Sequence, residues 1–396
     1  MPLARSRPSL IGAAALACAL GAVTVAQARA ADGGDTPFRV AFHPAPPIAL
    51  HDAGLAKSDS NSPVHWDGNR LVVFVSHWLP RGHSYRRVGT ALGALGPRAQ
   101  PIRIVNDPSP DIGKWLEATW RDADGTLYGW YHAEAPAPCE GDIKLPFIGA
   151  MTSADQGAHW TDLGPIITAP AGQHDCAMQN GFFAGGVGDF SVIADRNQGF
   201  FYVFFTNYDR RLPQQGIAVA RLPFAARHQP AGALRKWDGA AWRQPGLGGT
   251  TRPILAARRG WRHPDPDSFW GPAIHWNGYL GGFVMALNRT ANGDGDWPQE
   301  GVYLSFAAGL DRPSSWTIPL KIVAGGEWYP QIIGTAPGQT DREAGRRARL
   351  FMAGYSEWEV EFTRTERGHG GASAAVSARR TDRGAAHYGR SRRVAR

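Results

Sequence analysis

The sequence predicts an all-β protein built as a five-bladed β-propeller, and an internal repeat is the main reason. Residues 62–76 read SPVHWDGNRLVVFVS, and residues 271–285 read GPAIHWNGYLGGFVM. Each copy places Asp-Gly or Asn-Gly between two apolar, β-rich runs, which is the strongest short-range signal of a β-hairpin. Each phrase is therefore predicted to form a strand, a tight turn and a second strand.

Weaker copies of the hairpin occur between and after these two. They cover residues 117–131, 189–205 and 327–354, the last with its turn enlarged by the polar stretch 338–347. A third apolar strand follows the hairpins at residues 145–153, 212–220 and 297–305. A strand, a hairpin partner, a third strand and a turn into an outer strand make up one propeller blade.

This order of elements recurs about five times along the chain. The predicted blades begin near Asp59, Trp115, Asp189, Asp267 and Glu327. A two-sheet β-sandwich is the alternative, but a sandwich does not require both elements to recur in the same order. The sequence therefore favours a single ring of four-stranded blades.

The start of the chain is predicted to be a signal peptide over residues 1–30. A basic start, an apolar run over 9–26 and an A-x-A cleavage site at 28–30 support this interpretation. Cys18 lies in ALAC, a poor lipobox, so a lipoprotein is the less favoured alternative. The mature protein, with one domain over 31–364, is predicted to be secreted or periplasmic.

The formal charge of +8 comes from the two ends of the chain rather than from its body. Residues 1–30 carry three Arg and no acid, and residues 365–396 carry eight Arg against two acids, which leaves −1 for residues 31–364. The Gly-, Ala-, Ser- and Arg-rich tail over 365–396 is predicted to be disordered. We expect no nucleic-acid partner, no integral membrane segment in the mature chain, and a monomer.

Two cysteines remain once the leader is removed, Cys139 and Cys176. Both lie in Pro- and Gly-rich loops that precede β-rich runs. In an oxidising compartment, such a pair is more often bridged than free. A disulfide between them would tie the loop after the second hairpin to the entry of the third blade.

Carboxylates are the residues that point most clearly to a function. In a propeller the innermost strands start at one end of the central channel and the second strands return there, so residues at those points converge. The strand starts supply Asp59, Glu117, Asp189 and Asp267, and the strand ends supply His132, Glu134, Asn207, Asn288 and Arg289. Carboxylates held near an axis push their pKa values apart, as a general acid and a general base require. For any single Asp, capping of a turn is the alternative role.

Aromatic residues suggest the kind of ligand. All fifteen Trp lie between Trp66 and Trp358, and most are predicted to pack between blades. A few near the funnel are expected to offer flat faces to sugar rings, namely Trp78, Trp115, Trp270 and Trp328. Together with the paired acids and the export signal, they predict a carbohydrate ligand.

The fivefold recurrence, Asp59-Ser60 before the first inner strand, and the outer turn SADQGAHW at 153–160 resemble the five-bladed propeller glycosidases. That group includes the arabinanases and xylosidases of glycoside hydrolase family 43, with levansucrases and invertases as relatives. The resemblance implies that Asp59 is the catalytic base and that Asp189 tunes the pKa of the acid. Glu117 is the candidate acid, although its place on the second blade departs from that group's pattern.

The leading hypothesis is an exported glycoside hydrolase that acts on a poly- or oligosaccharide. Glu117 would protonate the leaving oxygen while Asp59 activates a water, with the carboxyls about 6.5–9.5 Å apart for inversion or about 5–5.5 Å for retention. No cofactor is predicted, apart from a structural Ca²⁺ ion that the central channel could hold. The alternatives are a non-catalytic carbohydrate-binding propeller, a protein-interaction propeller and a sialidase-like enzyme. SADQGAHW matches the sialidase Asp-box, but the sequence shows no recognisable arginine triad.

Overall fold

Five β-sheets form the blades of a ring in the computed structural model, which describes residues 36–52, 57–78, 82–291 and 297–365. The helices among these residues are four three-residue 3₁₀ segments: Leu92–Ala94, Leu212–Gln214, Phe224–Ala226 and Pro313–Ser315. None of them is long and apolar enough to cross a membrane. The predicted signal peptide, and the predicted tail beyond Thr365, lie outside the described residues.

The strands follow the chain from blade to blade. Blade one contains β2 (Val64–Asp67), β3 (Arg70–His77), β4 (His83–Gly89) and β5 (Gln100–Pro101). Blade two contains β6 (Arg103–Ile104), β7 (Lys114–Arg121), β8 (Leu127–Pro136), β9 (Lys144–Ser153) and β10 (His159–Ile167). Blade three contains β11 (Val187–Ala194), β12 (Phe200–Asn207), β13 (Gly216–Pro223), β14 (Arg235–Trp237), β15 (Trp242–Pro245) and β16 (Leu255–Ala256).

Each of the last two blades includes a strand from another part of the chain: blade four includes a strand from a loop of blade five, and blade five includes the first strand of the chain. Blade four contains β17 (Ser268–Asn277), β18 (Gly282–Thr290), β19 (Gly301–Ala307), β20 (Leu320–Ala324) and β22 (Glu343–Ala344). Blade five contains β21 (Gln331–Gly334), β23 (Arg347–Met352), β24 (Tyr355–Arg364) and β1 (Phe38–Ala49). The prediction of five blades is confirmed, whereas the uniform count of four strands is wrong because short extra strands join blades two to four.

The ring closes through the first strand of the chain. β1 runs antiparallel to β24 and forms the outer edge of blade five, so the two ends of the described chain meet in one sheet. β1 was not predicted from the sequence because its second half, HPAPPIA, is rich in Pro, which cannot donate to a sheet ladder. The pairing indeed shifts register between Pro44 and Ile48.

The polar stretch 338–347 does more than enlarge a turn. Within it, β22 runs parallel to β17, so a loop of blade five adds a strand to the inner edge of blade four. The first predicted hairpin turn is confirmed: Asp67 pairs with Arg70, and Gly68 adopts the left-handed conformation (φ 60°) that a tight turn requires. The second turn is longer than predicted, because Asn277 pairs with Gly282 and the left-handed glycine is Gly281 (φ 73°).

Apolar side chains hold neighbouring blades together. Five buried clusters each combine residues of two adjacent blades, which is the packing expected of a propeller. Representative pairs are Val72 with Leu116, Ala118 with Val187, Ile193 with Ile274, Ala273 with Ile332, and Ile333 with Val64. The strand starts are thereby fixed around one axis.

Asn61 joins three blades. It precedes the first inner strand, and its buried side-chain amide donates to the carbonyl of Phe190 in blade three (2.8 Å) and of Pro272 in blade four (3.0 Å). A buried carbonyl that loses its donor carries an uncompensated desolvation cost. The single amide therefore contributes to the alignment of the ring.

We expect Asn61→Ala to lower the free energy of unfolding by about 1–3 kcal/mol, because two buried carbonyls lose their donor. Urea denaturation followed by Trp fluorescence measures this difference. Asn197→Ala, in an exposed turn of blade three, is the matched control and should leave the midpoint unchanged. Equal midpoints for Asn61→Ala and wild type would contradict this role.

Candidate active site

A cavity of about 460 Å³ lies at the end of the ring where the inner strands begin. Trp115 at the start of β7, Asp189 near the start of β11 and Trp270 near the start of β17 all line it. The predicted convergence of strand starts is therefore present for three consecutive blades. Blades one and five contribute Asp59 and Tyr329 from the segments that precede their inner strands.

The cavity brings together eight of the thirteen predicted site residues. These are Asp59, Trp78, Trp115, His132, Glu134, Asp189, Trp270 and Trp328. Glu117 is buried directly behind the wall, with no exposed side-chain surface. Asn207, Asp267, Asn288 and Arg289 are not among the described residues that line the cavity.

Those four side chains are engaged elsewhere. Asp267 is held by the guanidinium of Arg289 through two contacts of 2.9 Å, which neutralises both residues in one ion pair. The Asn207 amide donates to the carbonyl of Gln214 (2.7 Å). Asn288 Oδ1 accepts from Gln299 Nε2 (3.1 Å). The geometry gives none of the four a place in the cavity wall, so their predicted substrate contacts have no support there.

Asp59 is a half-buried carboxyl on the cavity wall. Its backbone N–H donates to Ser76 O (2.8 Å), and its Oδ2 accepts from Trp115 Nε1 (3.0 Å). Burial, followed by the negative charges of Asp189 and Glu134, raises the pKa of Asp59 to about 8 and outweighs the opposing hydrogen bond from Trp115. Asp59 is therefore mostly protonated at neutral pH, as a general acid requires.

Bulges in the inner strands occur at or next to three predicted site residues. The pairing of β7 with β8 shifts at Glu117, and the pairing of β11 with β12 shifts at Asp189. In β17 the shift falls between Trp270 and Ala273. A bulge bends a strand and re-aims the extra residue. Blades two, three and four thus each have a bulge in the first half of the inner strand.

Asp189 shows the consequence for a single residue. Its backbone is left-handed (φ 42°), a strained conformation for Asp that functional sites often retain. In this conformation its carboxylate accepts hydrogen bonds from two buried phenols, Tyr208 on Oδ2 and Tyr329 on Oδ1, the latter at 3.2 Å. Two donors fix the orientation of the Asp189 carboxylate in the wall.

A buried ion pair lies behind Asp189. Glu117 Oε2 accepts from the Phe190 N–H (2.9 Å), and Glu117 Oε1 lies 3.3 Å from His132 Nδ1. The same His132 nitrogen lies 3.9 Å from Asp189 Oδ1. Burial disfavours the imidazolium, but the carboxylates of Glu117 and Asp189 outweigh it and raise the pKa of His132. Burial also raises the pKa of Glu117.

Gly188 allows the Glu117–His132 pair to lie close to β11. A Cβ at position 188 would come within 2.7 Å of the His132 ring, so a larger residue would displace the imidazole. The last glycine of the Gly-rich sequence AGGVGD at 184–189 thus permits a close approach of the His132 ring.

We expect Glu117→Gln to lower the pKa of His132, because the substitution removes the buried negative charge closest to the imidazole. Histidine-selective two-dimensional NMR across a pH series measures this shift, with His132→Gln used to assign the signal. Glu140→Gln, at an exposed loop position, is the matched control. An unchanged His132 titration would show that the two groups are not coupled.

Glu117, His132 and Asp189 could also hold a metal ion, since one ligand atom from each lies within 4.8 Å of the others. The trio offers two carboxylates and an imidazole, whereas Ca²⁺ usually takes six to eight oxygen ligands. The donor set therefore does not fit the structural Ca²⁺ ion suggested for the channel. In its place, the His132 charge compensates the two carboxylates.

Aromatic residues that the sequence analysis did not single out complete the wall. Trp297 stacks on Trp261 with centroids 4.5 Å apart and meets Trp270 edge-on at 5.5 Å. Trp297 and Tyr329 both have left-handed backbones, with φ of 53°. They lie in loops between strands, so a rule based on strand starts could not find them.

The predicted disulfide between Cys139 and Cys176 is confirmed, with a Cα–Cα distance of 5.5 Å. It joins the loop before β9 to the segment before β11. These two segments also supply Asp142 and Phe182 to the cavity wall. The bridge therefore ties together one side of the site.

No protein-family model matches this chain, and no curated protein matches it. Among solved structures it is similar to a Bacillus subtilis arabinanase, with 12% identity over 78% of this chain and 96% of that one and a TM-score of 0.44. A family 62 α-L-arabinofuranosidase from Coprinopsis cinerea gives 12% identity, 81% and 95% coverage, and a TM-score of 0.43. A family 43 β-1,3-galactosidase solved with galactodeoxynojirimycin is 13% identical over 80% of this chain and 94% of that one, with a TM-score of 0.45. At this level of similarity, an activity has to be argued from the residues of this chain.

Proposed function

We propose that the protein is an exported glycoside hydrolase that cleaves a poly- or oligosaccharide in the 460 Å³ cavity by acid/base catalysis. The observation that carries the proposal is the position of Asp59, a half-buried carboxyl that shares the cavity wall with Glu134 and Asp189. Burial and these neighbouring charges raise the pKa of Asp59 to about 8, which favours its protonated form at neutral pH. A second acid, Glu134, lines the same cavity. Hydrolysis of a glycosidic bond needs one protonated and one ionised carboxyl.

The proposed roles differ from those that the family resemblance implies. Asp59 donates its proton to the glycosidic oxygen as the bond from that oxygen to the anomeric carbon breaks. Glu134 accepts a proton from the water whose oxygen attacks the anomeric carbon. Asp189 keeps the pKa of Asp59 high through its negative charge, the largest contribution after burial. One water is consumed, and the products are two sugars.

Glu117, the acid candidate of the sequence analysis, takes a supporting role in this proposal. Its side chain is enclosed behind the wall and contacts His132, so it cannot reach a substrate oxygen without rearrangement. We assign it to positioning: its charge keeps His132 protonated, and His132 in turn faces Asp189. In this way the Glu117–His132 pair stabilises the charge and position of Asp189 in the cavity wall.

The aromatic lining supports a sugar as the ligand. Trp78 is 49% exposed at the rim, and Trp328 and Trp270 lie in the wall. Flat aromatic faces pack against the apolar faces of pyranose or furanose rings, while the carboxylates accept hydrogen bonds from hydroxyl groups. The Cys139–Cys176 disulfide supports export, because such bridges persist in oxidising compartments.

Two alternatives have distinct signatures. A sialidase needs an arginine triad for a carboxylate, and none of the described residues that line the cavity is an Arg. A non-catalytic carbohydrate-binding propeller would keep the aromatic wall and bind sugars without turnover. The strained Asp189 and the protonated Asp59 favour catalysis over binding alone.

The experiment is a reducing-end assay of the full-length protein against a panel of plant and microbial polysaccharides, with a pH profile on whichever substrate is cleaved. If Asp59 is the acid, kcat should fall as pH rises through about 8, because Asp59 then loses its proton. If Asp59 is the base, kcat should instead rise through that range. Saturable sugar binding without any turnover would favour the binding module.

A further inference from the structure

A second cavity, of about 340 Å³, lies at the opposite end of the inner strands. Trp115 lines the first cavity and Arg121 lines the second, at the two ends of β7. Six residues of extended strand span roughly 20 Å. The same separation holds for Trp270 and Trp276 in β17. The second cavity is therefore the other mouth of the ring and is distinct from the proposed catalytic site.

Three arginines from different blades line this second mouth. They are Arg121 at the end of β7, Arg196 in the turn after β11, and Arg342 before β22. We call these three residues the arginine mouth. Arg342 lies over the ring of Trp120 (4.9 Å), and Arg196 lies over the ring of Trp276 (4.9 Å). Stacking on an indole fixes the plane of a guanidinium and leaves its N–H edge available to a ligand.

The arginine mouth has more donors than acceptors. Arg121 Nε and Arg342 Nε are buried and have no hydrogen-bond partner among the described residues. Arg121 reaches Asp67 at a long 3.5 Å, while Asp67 also pairs with Arg70 (2.5 Å). Neither Arg196 nor Arg342 has a carboxylate within ion-pairing distance in the described part of the chain.

Acids lie near the arginines without forming close pairs with Arg342 or Arg196. Burial lowers the pKa of Arg342, and the charges of Asp341 and Glu343 oppose this shift from beyond ion-pairing distance. Asp195 and Glu343 also line the cavity, and Asp195 Oδ1 already accepts from the Gly199 N–H (2.8 Å). The buried side chain of His65 is close enough to be affected by the arginine charges. Burial, together with the charges of Arg342 and Arg121, lowers the pKa of His65 to about 4, while the Gln156 hydrogen bond and the charge of Asp67 oppose this shift.

We propose that the arginine mouth binds an oxyanion, either a carboxylate or a phosphate group carried by a small ligand. Buried N–H donors without partners carry a desolvation cost that an oxyanion would remove. Planar guanidinium groups match the geometry of carboxylate and phosphate oxygens, and charge-assisted bonds of this kind are among the strongest hydrogen bonds. The proposal does not depend on glycoside hydrolysis, because the two cavities lie at opposite ends of the strands.

The test is isothermal titration calorimetry of the full-length protein with sodium phosphate and, separately, with sodium galacturonate, at a constant ionic strength set by NaCl. Galactose is the uncharged control for galacturonate. We expect one of the two anions to bind, and Arg342→Gln and Arg196→Gln each to weaken that binding at least about tenfold. Arg98→Gln, at an exposed loop position outside the mouth, should have no effect.

The two anions distinguish the source of the oxyanion. Binding of galacturonate alone points to an acidic sugar, and binding of phosphate alone points to a phosphate or phosphate ester. Arg196 is exposed, so Arg196→Gln keeps the test valid if the less exposed Arg342→Gln does not fold. Absence of binding by both anions, or binding that both Arg variants leave unchanged, would overturn the proposal.

Discussion

Replacing Asp59 with Asn is expected to reduce turnover by at least about a hundredfold, the usual effect of losing general acid–base assistance. Asn keeps the size of the side chain and an oxygen that can accept the Trp115 Nε1–H bond, which is 3.0 Å long in the native protein. It cannot deliver a proton to a leaving oxygen. The loss should therefore appear in kcat while sugar affinity stays close to that of the wild type.

The same substitution has a second readout in stability. Because the pKa of Asp59 is raised to about 8 by folding, the native state binds this proton more tightly than the unfolded chain does. Wild-type stability should therefore decline as pH rises from about 4 to about 8, and Asp59→Asn should remove this part of the decline. Asp111→Asn, at an exposed position, is the matched control. A small change in kcat with a large loss of sugar affinity would assign Asp59 to binding rather than catalysis.

The double substitution Cys139→Ser, Cys176→Ser should lower the free energy of unfolding by about 3–4 kcal/mol. The bridge closes a segment of 37 residues, and an open chain of that length gains considerable conformational entropy when it unfolds. The two loops that it joins also carry Asp142 and Phe182, so KM should rise as well. Denaturant unfolding and steady-state kinetics measure the two effects.

Reduction of the wild type provides the matched comparison for the disulfide. A reducing agent should bring the wild type to the stability of the double variant and leave the double variant unchanged. A loss of less than about 1 kcal/mol in both would show that the loops are held by other contacts.

Much of the architecture was predictable because it is repeated. The hairpin turn at Asp67-Gly68 carries turn chemistry that the sequence displays directly, and the hairpin at Asn277 forms at the predicted place with a longer turn. β1 was missed because its proline-rich half does not have the alternation typical of a strand. Its pairing with β24 is also a contact between distant parts of the sequence, which no local pattern encodes.

A site residue could be predicted from the sequence only where its position along a strand determines whether its side chain faces the cavity. Asp59 and Asp189 lie in the wall of the cavity as expected, because strand starts converge on the axis. Asp267 follows the same rule in the sequence, yet its carboxylate turns to Arg289 one strand away. The bulge at Glu117 likewise moves that side chain behind the wall, and no single-sequence pattern marks a bulge.

Cavity-lining side chains that come from loops do not follow the strand-start pattern. Tyr329 and Trp297 have left-handed backbones in loop segments, and neither carries the Gly or Asn that usually marks such a conformation. Their places in the cavity depend on how loops from different blades pack together.

The protonation state of Asp59 tests the proposed mechanism most directly. Infrared difference spectroscopy across a pH series, compared between wild type and Asp59→Asn, isolates the carboxylic acid C=O band of this residue. We expect a band that disappears with a midpoint near pH 8 and that is absent from the variant. A band that disappears near pH 4, the ordinary range for Asp, would contradict the assignment of Asp59 as the resting proton donor.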